Sequence, residues 1–153
     1  MSYLSRVLQP GEVVIHETRL HLIIFLAAAL WFIAALVLLI AAFSTEGDWR
    51  IAGEALAAFC ALFGLGSGIP ALIRRASTEL AVTDRRVIYK SGVFSRHTLE
   101  MNRSKVESVD VDQSILGRVF GYGTITVRGT GGSLEPIRRI SDPLTFRSHI
   151  TAG

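Results

Sequence analysis

Two apolar runs dominate the first half of the chain. Leu22–Phe43 carries no charged residue in 22 positions, and Ile51–Ile73 carries one, Glu54. At about 1.5 Å of rise per residue, 22 helical residues reach roughly 33 Å, enough to cross a hydrocarbon layer of about 30 Å. The connection, Ser44–Arg50, is short and polar. The pattern predicts a transmembrane helical hairpin, with spans over 22–43 and 51–73 and a loop over 44–50. The first run is longer than the roughly 7–15 residues of a signal-peptide core, and a second run follows it. Trp49 is suited to the outer interface.

Inside the second span, Gly64 and Gly68 form a small-xxx-small pair that lets helix backbones approach closely. The partner is either the chain's own first span or another membrane protein. Pro70 predicts a kink. Glu54 sits near the outer end. A small transporter or channel subunit is the weakest functional reading, because it rests on that carboxylate alone.

Beyond Arg75 the period changes to two. Thr78, Leu80 and Val82 alternate with Glu79, Ala81 and Thr83, and Arg86–Lys90 follows a turn at Asp84-Arg85. Ser91-Gly92 suggests a two-residue hairpin into a strand over Val93–Met101. Lys105–Gln113 continues as a strand with Val109 and Val111 inward and Asp110 and Asp112 outward. Ile115, Leu116, Val119 and Phe120 recur at helical spacing, predicting a short helical turn closed by Gly121 and Gly123. Strands over Thr124–Arg128 and Leu134–Ile140 flank a glycine turn. Asp142-Pro143 opens a last helix, with Leu144, Phe146 and Ile150 on its inner face. Ahead of the spans, the β-branched segment Gly11–Arg19 favours an extra strand of the same sheet over the alternative, an interfacial helix.

Charge orients the hairpin. Residues 74–153 hold 13 Lys/Arg against 8 Asp/Glu, whereas residues 1–73 hold 3 against 5. Basic flanks remain cytoplasmic, so both termini belong in the cytoplasm and 44–50 outside. Arg74, Arg75, Arg85, Arg86 and Lys90 are the candidate lipid- or phosphate-binding residues. Guanidinium matches phosphate geometry, and cations beside an anionic leaflet are attracted to it. The competing reading of Thr83-Asp-Arg-Arg86 is a turn clamp, with one arginine pairing to Asp84, Asp110 or Asp112.

Little else suggests chemistry. The four histidines lack ligand spacing, and the single cysteine, Cys60, lies in a span. Asp110 and Asp112 read as solvated strand carboxylates rather than a cation site. The glycines at 129, 131 and 132 lack the lysine of a phosphate loop. No catalytic residue, metal or cofactor is expected. Nor is nucleic acid, since the basic residues do not alternate with exposed aromatics.

Several segments in fixed order resemble one family. They are Leu8-Gln-Pro-Gly-Glu12, Leu80-Ala-Val-Thr-Asp-Arg-Arg-Val-Ile-Tyr-Lys-Ser-Gly92, Lys105-Val-Glu-Ser-Val109, Gln113-Ser-Ile-Leu-Gly-Arg118, Phe120-Gly-Tyr-Gly-Thr124 and Ile140-Ser-Asp-Pro143. Together they resemble the bacterial pleckstrin-homology (PH) domain of small membrane proteins with a two-helix hairpin. The resemblance implies an α+β membrane protein: a transmembrane hairpin plus a partly open, PH-like antiparallel β-barrel with a C-terminal helix. The PH-like region is expected over 77–150, with 1–21 as a cytoplasmic segment that adds a strand. The location it implies is a bacterial inner membrane. The expected function is non-catalytic, a membrane-anchored interaction or accessory module that docks a membrane protein complex or self-assembles. A sensor of anionic lipid headgroups is the alternative. Expected partners are membrane lipids, anionic ones among them, and another membrane protein or a second copy.

Overall fold

A computed structural model describes residues 7–92, 97–130, 132–133 and 135–152. The chain forms two compact units, one made of residues 1–21 with 74–153 and the other of residues 22–73.

In the unit 22–73, a 3-10 turn, Leu22–Phe25, runs into helix α1 (Leu26–Phe43), and a short loop leads to helix α2 (Asp48–Ser77). Both are long and apolar enough to cross a membrane. α2 is longer at both ends than the apolar run and continues through Pro70. Large side chains such as Leu36, Val37, Ile40 and Leu62 point outward, while Ala28, Ala35, Ala57 and Cys60 are buried. Small residues thus form the seam and bulky ones cover the outside, as expected where the surrounding solvent is apolar. A Cβ at Gly64 would lie 3.1 Å from the Phe32 ring, and one at Gly68 would lie 3.3 Å from Ala28 Cβ. Both glycines therefore pack within the chain's own hairpin.

The other unit is built from two antiparallel sheets. The first has the order β1 (Val14–Thr18), β2 (Glu79–Thr83), β3 (Arg86–Ser91), β4 (His97–Asn102). The second pairs β5 (Val106–Asp112) with β6 (Tyr122–Gly129). On the other side of β6 lie β7 (Gly132–Ser133) and β8 (Ile137–Ser141). A bridge between Leu20 and Ile140 ties the sheets together on one side, and they do not close into a barrel. The short helix α3 (Ile115–Phe120) connects β5 to β6, and α4 (Pro143–Thr151) ends the fold.

The core is Leu80, Val82, Val87, Ile125, Val127, Ile140 and, from α4, Phe146, all essentially inaccessible. The opposite face of the first sheet is covered as well: Ala81 and Ile88 are fully buried, with Val14 packed on them. Strict alternation between an inner and a wet face therefore does not hold in β2. The connection β3–β4 also differs from expectation. Ser91 pairs with His97, so the strand runs through Ser91 instead of turning there. The expected strand start at 93–96 lies outside the described residues. In β5, Val109 is buried and Asp110 and Asp112 are exposed.

Local signals explain the helix ends. The Ser114 hydroxyl accepts from Gly117 N at 3.0 Å at the start of α3, and Gly121, at φ +73°, caps its end. Asp142 caps α4, and Pro143 takes the first helical position. Phe146 and Ile150 are buried, but Leu144 is exposed, which corrects the expected inner face of α4. Gly123 is required by close packing, since a Cβ there would sit within 2.9 Å of Gln113, Asp112 O and Pro143.

Candidate functional site

The sharpest motif, Thr83-Asp-Arg-Arg86, folds as the turn between β2 and β3, against the segment that precedes β1. Gln9-Pro-Gly-Glu12 forms its own turn: Glu12 N donates to Gln9 O at 2.9 Å, with Gly11 at φ +80°. This turn directs the Glu12 carboxylate inward. Arg86 meets it in a fork, with Nε to Oε1 at 2.9 Å and Nη2 to Oε2 at 2.7 Å. Nη1 donates to Glu100 Oε2 at 2.6 Å, and Nη2 also donates to Val7 O at 2.9 Å. The Thr83 hydroxyl donates to Glu12 Oε1 at 2.7 Å and accepts from Arg86 N at 3.0 Å. The Glu12 side chain has no exposed surface, and that of Arg86 has 12%.

The electrostatics follow from this geometry. The bonded Arg86 guanidinium holds the Glu12 carboxyl down to about 2 against the opposing effect of burial, helped by Gln9 N and the Thr83 hydroxyl. Glu12 in turn raises the Arg86 pKa, outweighing the cost of burying the cation. Beside this pair, Asp84 exchanges two hydrogen bonds with Val13, donating through N at 3.1 Å and accepting through Oδ1 at 3.0 Å. The turn and the leading segment are thereby locked to each other.

The turn clamp expected of one arginine is made by Arg85 with Asp84, whereas Arg86 takes other partners. Asp84 holds Val13 and lies 3.8 Å from Arg85, and Asp110 pairs with Arg128 at 2.9 Å. Sequence reasoning missed Glu12 as the partner. Its signal was present, since Glu12 ends one motif of the family resemblance and Arg86 belongs to the next.

The other candidate cations are dispersed. Arg75 Nε donates to Leu20 O at 3.1 Å, Lys90 lies 3.8 Å from Glu79, and Arg85 and Arg74 are exposed. Glu54 pairs with Arg50 one helical turn away at 2.9 Å. No group of three or more His, Cys, Asp or Glu residues is placed to hold a metal ion among the described residues.

A cleft of about 500 Å³ lies where β5 meets the end of α4, lined by Glu107, Ser108 and Val109 on one side and Ile150 and Thr151 on the other. Arg103 forms its floor. Its Nε donates to Ile150 O at 3.0 Å and its Nη2 to His149 O at 2.6 Å, which caps the last turn of α4. Among the described residues, β5 pairs with β6 alone, so its other edge is open beside this cleft.

Two antiparallel sheets left partly open, with a C-terminal helix packed into their core, define a PH-like module. Such modules are generally non-catalytic and serve in interaction. The sequence model of the bacterial PH domain family matches residues 13–153, nearly the whole chain, and the protein belongs to that family. No curated protein and no solved structure was found to match it.

Proposed function

We propose that the protein is a non-catalytic interaction module anchored in the bacterial inner membrane, with both termini in the cytoplasm, and that its PH-like unit docks a partner protein along β5. The single observation that carries this reading is that β5, among the described residues, pairs on one side only and lies beside a 500 Å³ cleft. An open strand edge offers backbone donors and acceptors to an added strand, and an adjacent cleft receives side chains. Charge specifies the occupant. β5 carries Glu107 and Asp112 besides Asp110, which pairs with Arg128, and in the cleft Arg103 is turned to the α4 carbonyls, so a segment that sets Lys or Arg against Glu107 is favoured. A second copy of β5 would oppose carboxylate to carboxylate, which is unfavourable across strands.

The headgroup-sensor reading has less support. Arg86 is consumed by Glu12 and Glu100, and Arg75 by Leu20. The test is gentle solubilisation from native membranes, followed by sizing and mass spectrometry of the wild type and of Glu107→Arg. The reading predicts a stoichiometric protein partner that Glu107→Arg loses while its melting temperature is unchanged. A chain that purifies alone, or a partner retained by Glu107→Arg, refutes docking at β5.

A further inference from the structure

Helix α3 is six residues long, and four of them present large apolar side chains to the surroundings. Ile115 is 83% exposed, Leu116 61%, Val119 73% and Phe120 57%, and Leu144 at the start of α4 adds another at 56%. A soluble surface scatters such residues singly, so a contiguous set marks a surface that something covers. Their backbone is well anchored by the Ser114 and Gly121 caps, so the apolar display belongs to a folded element.

The place of this patch in its unit indicates what covers it. Gly121 O, at the end of α3, accepts from Asp142 N at 2.9 Å, which brings α3 beside the start of α4 and Leu144. The Tyr122 ring lies 5.4 Å from that of His21, the last residue before the first apolar helix. His21 N donates to Arg139 O at 2.7 Å, and Arg75, in the last turns of α2, bonds Leu20 O. The patch therefore shares one rim of the unit with both points where the chain passes to its apolar helices. Arg118 within α3 and Arg139 beside His21 are both exposed on this rim, against one exposed acid, Asp142, whose carboxylate caps α4, and α3 itself contains no acid. Apolar side chains flanked by cations are the composition of an element lying in a membrane interface.

We propose that the patch formed by α3 and Leu144 inserts into the boundary between headgroups and acyl chains of the bilayer that holds the protein. The inference rests on the proposed membrane anchoring of residues 22–73. It assigns a lipid-binding role to side chains distinct from the basic residues that sequence reasoning selected. Insertion here fixes which way the β5 cleft is presented.

The experiment uses the full chain with Cys60→Ala, in nanodiscs of phosphatidylethanolamine and phosphatidylglycerol. One cysteine is introduced at a time by Leu116→Cys, Val119→Cys, Leu36→Cys or Glu107→Cys and labelled with an environment-sensitive fluorophore. Quenching by nitroxides at fixed depths on the lipid chains is compared with quenching by aqueous iodide. The expected result places the labels at 116 and 119 about 5–10 Å into the interface. The label at 36 is then deep in lipid, and the label at 107 is quenched by iodide alone. A lipid-quenched label at 36 with water-exposed labels at 116 and 119 overturns the inference and leaves the anchoring reading intact. Labels at 116 and 119 shielded from both quenchers mean that a second copy or another protein covers the patch, which also overturns it. A water-exposed label at 36 removes the anchoring reading and the inference with it.

Discussion

Replacing Arg86 by alanine tests the central ion pair most directly. Its partner, Glu12, has no exposed side-chain surface and accepts from Arg86 at 2.7 and 2.9 Å. Holding the carboxyl at about 2 instead of the ordinary 4.5 corresponds to about 3 kcal/mol of stability at neutral pH, at about 1.4 kcal/mol per tenfold change in proton affinity. Because the folded-state pKa is depressed, that stability is complete above pH 4.5 and is lost as the pH falls from 4.5 towards 2. Arg86→Ala leaves a buried carboxylate without its cation, a change that typically costs about 3–5 kcal/mol. For a unit of this size each kcal/mol moves the melting temperature by about 4–8 °C, so a fall of at least about 12 °C is expected at pH 7. The assay is thermal melting of the β-sheet circular dichroism signal, for the full chain in nanodiscs, from pH 7 down to pH 2. In Arg86→Ala the drop between pH 4.5 and 2 disappears, because Glu12 then takes up its proton at higher pH. The reasoning is refuted by an Arg86→Ala protein that melts within about 4 °C of wild type at pH 7. A variant that keeps the wild-type acid profile refutes it equally. A phosphate-binding Arg86 predicts the reverse pattern, with weakened binding to anionic lipid and unchanged melting.

Arg103→Ala removes the two charged hydrogen bonds that cap α4, at about 2 kcal/mol, and amide exchange in Pro143–Thr151 should accelerate more than exchange in β2 and β3. His16 stacks on His149 with ring centroids 4.7 Å apart, and its pKa is lowered chiefly by burial and then by His149, against a smaller opposing effect of Asp142. The unfolded chain therefore binds a proton below pH 6.5 that folded His16 resists, so stability declines as the pH falls below 6.5. His16→Gln should flatten that part of the melting profile, and an unchanged slope in the variant would exclude His16 as its source.

Much of the fold was legible because its causes are local. Apolar run length set the two long helices, period-two alternation set β2, β3 and β5, and Ser114, Gly121 and Asp142 marked helix ends by capping chemistry that acts within three or four residues. Other features depend on distant chain. Ala81 and Ile88 are fully buried on what alternation assigns to the wet face of β2 and β3, and Val14, from β1 on the far side of the apolar helices in sequence, packs against them. Glu12 and Arg86 stand 74 positions apart with the whole hairpin between them, and no local period joins them.

The candidate site divides in the same way. The sequence by itself determined which cations the chain carries and that two apolar runs precede most of them, since charge and hydropathy are properties of residues. Only the tertiary structure decided that Arg86 is consumed by Glu12, that β5 pairs with β6 alone among the described residues, and that the helical spacing of Ile115, Leu116, Val119 and Phe120 faces outward. Periodicity tells which residues share a face. What that face meets is set by the packing of segments far apart in the chain, which a local pattern does not encode.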